Sequence, residues 1–317
     1  VLLLRKTLAP TAAGFVLLAA LLSVVPPSPA AAQEVVQDEG AAYRAWHDAS
    51  QAGDNAKATA AAKAYLEQYP TGQYVDFLKK WLGTAQMTAL DAAIKEKRTA
   101  DMIAVGREIL AADPENLNVL YALAFNIRRN ELLAAPQNFA NAPAAVEFAR
   151  KAISLVESGK TLTGVASFDK NATLAWLTQV LAFNEGKSGS PAEAIELYEK
   201  STAYAPEDPQ IAGRNLLAIL ALRQAKYGEL AKAYNALPEA DRAAAEPKPE
   251  VKAAKEALDA EADVLIDAAA AFVAFGRTKG LPAATVDRVN TLLETVYKSR
   301  NPGDAALEGL KKKLAEK

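Results

Sequence analysis

From Ala41 onward, small and apolar residues return at intervals of three and four, and period-two alternation with β-branched content is hard to find. A repeat near 3.6 buries one face of a helix, whereas a half-buried strand needs a repeat of two, so the chain is predicted to be all-α. Composition points the same way: 71 of the 317 residues are alanine, and only 7% are aromatic. Alanine is the least costly residue to place in a helix, and 51% hydrophobic content is enough to build a core. Helices are expected near 39–52, 55–68, 73–96, 100–112, 116–132, 142–157, 171–185, 191–204, 208–225, 228–236, 249–277, 283–299 and 304–315. Gly53-Asp54, Tyr69-Pro70, Asp113-Pro114, Gly186, Pro206, Gly280 with Pro282, and Asn301-Pro302-Gly303 punctuate them, since glycine accepts a left-handed backbone and proline blocks helix continuation. Short connections between such helices make antiparallel hairpins.

The hairpins share a spacing. Within 191–206, Ala194 is followed by Tyr198 four residues later, Ser201 seven later and Pro206 twelve later. The small residues let a neighbouring helix approach and the tyrosine fills the remaining space. Ala58, Ala62 and Tyr65 between Gly53 and Pro70, then Met102, Gly106 and Ile109 before Pro114, and Ala145, Phe148, Ala149 and Ala152 carry degraded versions. On these residues the stretch 41–237 resembles the tetratricopeptide repeat family of helix-turn-helix units. That resemblance implies antiparallel helix hairpins stacked as a right-handed α-solenoid, with a concave face that binds peptides or protein segments. Two insertions, 134–143 and 158–170, interrupt the period. A linker is expected at 238–250 around Glu246-Pro247-Lys248-Pro249, followed by a helical cap over 251–317 continuous with the array. In that cap Leu307, Leu310 and Leu314 form one stripe beside Lys311, Lys312 and Lys313.

Residues 1–32 read as a signal peptide: Arg5 and Lys6, then an apolar run from Leu8 to Val25, then Pro26, Pro27 and Pro29 before Ala30-Ala31-Ala32. Cleavage near Ala32 would leave a short flexible stretch at 33–40 and a periplasmic or secreted protein; a retained N-terminal anchor is the alternative. Losing two of 36 basic residues leaves 34 against 38 acidic ones. No later run is long enough to span a membrane.

Composition removes much chemistry. There is no cysteine, hence no disulfide, thiolate metal site or cysteine nucleophile, and His47 is the only histidine. Asp48 is not expected to orient His47, because adjacent helical side chains diverge by about 100°. A net charge of −2 gives no excess to neutralise a nucleic-acid backbone. No phosphate loop, calcium loop or metal motif is present, so no cofactor, no metal and no catalytic residue is assigned. Gly186 to Ser190 reads as a turn capping two helices, and the pairs Glu193/Glu196 and Asp259/Asp263 as solvated helix faces.

A partner-binding groove is therefore expected, lined by Asn126 and Arg129 on one helix, Trp176, Gln179 and Asn184 on the next, and Arg214 and Asn215 on a third. Amides can bind an extended backbone and arginine can pair with carboxylates. Polar residues at helix interfaces would read identically in sequence, and tryptophans are as readily hairpin core as groove anchors. The expected function is a non-catalytic adaptor or scaffold in the bacterial cell envelope. The alternative is a small-molecule or glycan binder with a pocket between the repeats and the C-terminal helices, lined by Tyr121, Asn126 and Trp176.

Overall fold

The computed structural model describes residues 29–303 and 306–315, with side chains over 39–303 and part of the last helix. The expected signal segment lies almost wholly outside the described residues. Among the described residues there are thirteen α-helices, one π-helical turn and no strand. The chain divides into two compact units, 1–85 and 86–317, with the boundary inside a helix.

In the first unit α1 (Pro29–Gln51) packs on α2 (Asn55–Gln68), and the start of α3 (Val75–Lys95) completes the core. Helix α1 is longer than expected and takes in the 33–40 stretch that was expected to be flexible. Gly53 takes a φ of 70°, and Asp54 caps α2 by accepting from Lys57 N at 3.0 Å. Ala58, Ala62 and Tyr65 face inward with no exposure at all, beside the buried Trp46 and Leu78. Glu39 Oε1 accepts from the Tyr65 hydroxyl and, at 2.7 Å, from Gln73 N, fastening α1 to the α2–α3 connection.

In the second unit helices follow one another as packed neighbours. Helix α4 (Thr99–Ala112) packs on α5 (Leu117–Ile127), which continues into a π-turn at Arg128–Leu132. Then α6 (Ala142–Glu157), α7 (Lys170–Ser188), α8 (Pro191–Tyr204) and α9 (Ala212–Asn235) each pack on the one before. Asn116 and Asp169 cap α5 and α7 through Val119 N and Ala172 N. Ala194, Tyr198 and Ser201 are buried together on one face of α8, as are Ala145, Phe148, Ala149 and Ala152 on α6. After the short α10 (Glu239–Arg242) inside the expected linker, α11 (Pro249–Lys279) packs on both α9 and α12 (Ala283–Arg300). Last comes α13 (Ala306–Ala315), where Leu310 is buried against α11 and α12 and Lys312 is exposed. The side chains of Leu307, Lys311 and Lys313 are outside the described set.

Three local expectations change. The helices expected at 208–225 and 228–236 are one helix, because Gly228 sits mid-helix in open space with nothing to force a turn. Helix α7 runs past Gly186 and ends at Gly189, whose φ of 101° makes the left-handed cap. Asp263 is not merely solvated: it accepts from Arg300 Nε at 3.1 Å and Nη2 at 3.2 Å, tying α11 to α12. Of the two insertions, the one expected at 158–170 ends at 169, where α7 takes over, and is stitched down, since Asn118 exchanges hydrogen bonds with Thr163 N and O at 3.0 Å each. The other, expected at 134–143 but giving way to α6 at Ala142, is held by Glu131, whose carbonyl accepts from Asn138 N at 3.1 Å and whose Oε1 accepts from Asn141 Nδ2 at 2.8 Å.

Candidate functional site

The helices expected to line the groove do meet: α5 touches α7, and side chains bridge α7 to α9. What joins them is a directed chain of buried hydrogen bonds. Arg128 Nη2 donates to Gln179 Oε1. Gln179 Nε2 donates in turn to Asn215 Oδ1 at 2.5 Å. Asn215 Nδ2 donates to Ser201 Oγ at 2.9 Å and Thr202 Oγ1 at 3.1 Å, and Ser201 closes the ladder on the Ala175 carbonyl at 2.9 Å. Gln179, Asn215 and Ser201 are each 1% exposed or less. A buried amide without partners would cost about 1–3 kcal/mol, so this ladder holds the rotation of α7, α8 and α9 relative to one another.

At its head stands Arg128, only 3% exposed. Its guanidinium lies 4.4 Å from the centroid of the Trp176 ring. Arginine carries five N–H donors, and Gln179 takes just one of them. Nε is cut off from water without any acceptor, and no carboxylate among the described residues pairs with the group. Burial, reinforced by the nearby Arg214 cation, pulls its pKa down to about 10. Tyr121 and Tyr198 also act on its charge, and burial raises both phenols. Tyr121 stacks on Phe125 at 5.6 Å, and Phe125 meets Trp176 edge-on at 6.2 Å. Arg128 is also the first residue of the π-turn, a distortion of helix geometry that recurs at functional positions.

The seven sequence-predicted residues divide. Trp176, Gln179 and Asn215 join this cluster, but Gln179 and Asn215 face the helix interior and do not line an open groove. Arg214 is exposed on α9, with only a 3.5 Å contact to Gln210. Asn126 is buried and donates to the Ala122 carbonyl of its own helix at 2.7 Å, its Oδ1 lacking a partner. Arg129 and Asn184 engage only their chain neighbours, Asn130 and Glu185. Sequence reasoning passed over Arg128 in favour of Arg129. A signal was available, because Arg128 falls four residues after Ala124 and eight after Leu120, both buried on the apolar stripe of α5.

The tryptophans separate too. Trp46 is buried in the first unit, edge-on to Phe77 at 5.1 Å and Trp81 at 5.4 Å, with its Nε1 unpartnered. The expectation for His47 needs correction: its Nδ1 does reach Asp48 Oδ1, at 3.3 Å, because side-chain torsions bring the two ends together. Both side chains are solvent-exposed, at 48% and 80%, which leaves that contact easily broken by water.

Two cavities lie near these helices. One of about 270 Å³ between α9 and α12 is lined by Leu217, Leu220, Gln224, Arg288 and Leu292. Tyr121, Asn126 and Trp176 are not among its walls, contrary to the expected lining. The other, about 300 Å³, is walled by Phe139, Phe183, Lys187, Tyr198 and Leu222. Among the described residues no three His, Cys, Asp or Glu side chains are grouped to hold a metal, and no helix is long and apolar enough to cross a membrane. No protein-family model matches the chain, and no curated protein matches it.

Proposed function

We propose that the chain is an exported, non-catalytic adaptor of the bacterial cell envelope, built as a tetratricopeptide-like right-handed solenoid that binds a partner segment across α5, α7 and α9. The observation that carries this reading is the Arg128–Gln179–Asn215 ladder. It holds three alternate helices in register, so their outer residues form one preorganised surface, which lowers the ordering cost of binding. Trp176 on α7 and Arg214 on α9 supply an aromatic face and a cation to that surface, residue types that anchor protein interfaces. The export part of the proposal rests on Arg5, Lys6, the apolar run to Val25 and the Ala30–Ala32 ending.

Proximity crosslinking in the intact cell envelope, with mass spectrometry of crosslinked residue pairs, tests it. Pairs from one recurring partner should concentrate on 117–132, 170–188 and 212–235. Recurring pairs confined to other helices, or none at all, would remove the reading.

A second reading, small-molecule or glycan binding, is favoured by the cavity between α9 and α12, where Gln224 and Arg288 add polar groups to apolar walls. A thermal-shift screen with cell-wall fragments separates the two, since a ligand bound only by the folded chain raises its melting temperature.

A further inference from the structure

Arg128 is hard to explain as packing alone. A buried cation is normally matched by a carboxylate, because removing it from water costs several kcal/mol. Here the fold supplies one amide acceptor and one aromatic face, and leaves Nε dry and unpartnered. A second cation, Arg214, stands near enough to oppose its charge, although the chain has more acidic than basic residues. Neither guanidinium forms an ion pair among the described residues, so no contacting carboxylate offsets the opposition between the two. Trp176, whose ring lies 4.4 Å from the guanidinium, is itself only half-buried.

We infer that Arg128 and Arg214, with the Trp176 ring, seat a carboxylate borne by a glutamate or aspartate side chain of a bound peptide segment. This rests on the segment-binding reading above and names the chemistry of the segment. Planar N–H pairs on a guanidinium match a carboxylate bidentately, and a dry setting strengthens the contact. The same anion would relieve both the lost hydration of Arg128 and its repulsion by Arg214.

Calorimetric titration of the whole chain tests this with three probes: an end-capped penta-glutamate peptide, its penta-glutamine counterpart, and free glutarate. The glutamate peptide should bind at least tenfold more tightly than either of the others, in keeping with hydrogen bonds to charged groups. Arg128→Met and Arg214→Gln should each weaken the peptide by roughly ten- to a hundredfold. Thermal unfolding of the unliganded variants adds a readout that a structural role predicts differently. Arg128→Met removes a buried unpaired cation but also strands Gln179 Oε1, so it should destabilise the chain less than Gln179→Leu, which leaves the cation in place without its acceptor. Arg214→Gln, at an exposed position, keeps the test valid should the Arg128 variant fold poorly.

Equal binding of the glutamine peptide would overturn the carboxylate assignment. So would undiminished binding by Arg214→Gln, or by a folded Arg128→Met. Glutarate as tight as the peptide would make this a small-acid site and overturn the peptide source, and absence of binding by all three probes would overturn the assignment as well. Crosslinks to a partner on α5, α7 and α9 that persist in Arg128→Met would leave the adaptor reading standing while the carboxylate falls; loss of the adaptor reading would instead appear in the parent chain, as no crosslinks there.

Discussion

Gly106 on α4 and Leu123 on α5 approach so closely that a methyl group at position 106 would lie 2.6 Å from Leu123 Cδ1 and 2.7 Å from Cδ2. Both residues are buried, so neither has room to retreat. Gly106→Ala should therefore destabilise the fold by about 1–3 kcal/mol, although alanine is the better helix former. In a Leu123→Ala background the clash is absent and only the helix preference remains. There the same substitution should stabilise by up to about 1 kcal/mol. Urea unfolding of the four proteins measures this reversal of sign.

The ladder offers a second test. Asn215→Leu takes from Gln179 Nε2 its nearer acceptor, leaving only the Ile211 carbonyl at 3.4 Å, and removes the donor to Ser201 and Thr202, which should cost about 1–3 kcal/mol. Gln179→Leu should cost at least as much, because Arg128 loses its one protein acceptor. The double variant should lose clearly less than the sum of the two, as members of one network do. Additive losses in denaturant titrations would mean that the two amides act independently.

Tyr65 should make stability fall in strongly alkaline solution. Burial first, and then its hydrogen bond to Glu39, push the phenol up to about 12. The unfolded tyrosine ionises near 10. Below pH 10 both states keep the proton and the contribution is fully present; between about 10 and 12 the unfolded chain alone ionises, so the stabilisation is lost as pH rises. Tyr198 acts in the same direction and Arg128 in the opposite one, since the folded chain releases the arginine proton more readily. Comparing the parent with Tyr65→Phe cancels both. The variant should be less stable by about 1 kcal/mol at pH 8, and the gap should close as pH rises from 10 to 12. Chemical denaturation across that range reads it directly.

Asn118 holds the 158–169 connection by exchanging hydrogen bonds with Thr163. Asn118→Ala should cost about 1 kcal/mol in global stability but free this connection locally. Limited proteolysis should then cut within 158–169 several times faster than in the parent, with the cleavage rate elsewhere unchanged. Cutting that spreads evenly along the chain would point to global loosening instead.

The helical class and the inward faces were legible before any coordinates. Ala58, Ala62 and Tyr65, and again Ala194, Tyr198 and Ser201, announce their burial by spacing, because a helix repeats its own geometry every 3.6 residues. Asp54, Asn116 and Asp169 each accept from an orphan backbone N–H three residues ahead, another relation set by local chain geometry. These are local relations, settled within one turn of chain. Whether Arg128 or Arg129 turns inward, and whether Gln179 lines a surface or bridges two helices, are not local. They depend on partners 51 and 36 residues away, on how adjacent helices are rotated, and on a π-turn that sequence spacing does not reveal. Sequence by itself thus determined which residues form helices and which stripes they bury. Only the tertiary structure decided where an arginine would be left beneath a tryptophan without a counter-charge, since charge compensation is a property of the neighbours that packing brings together.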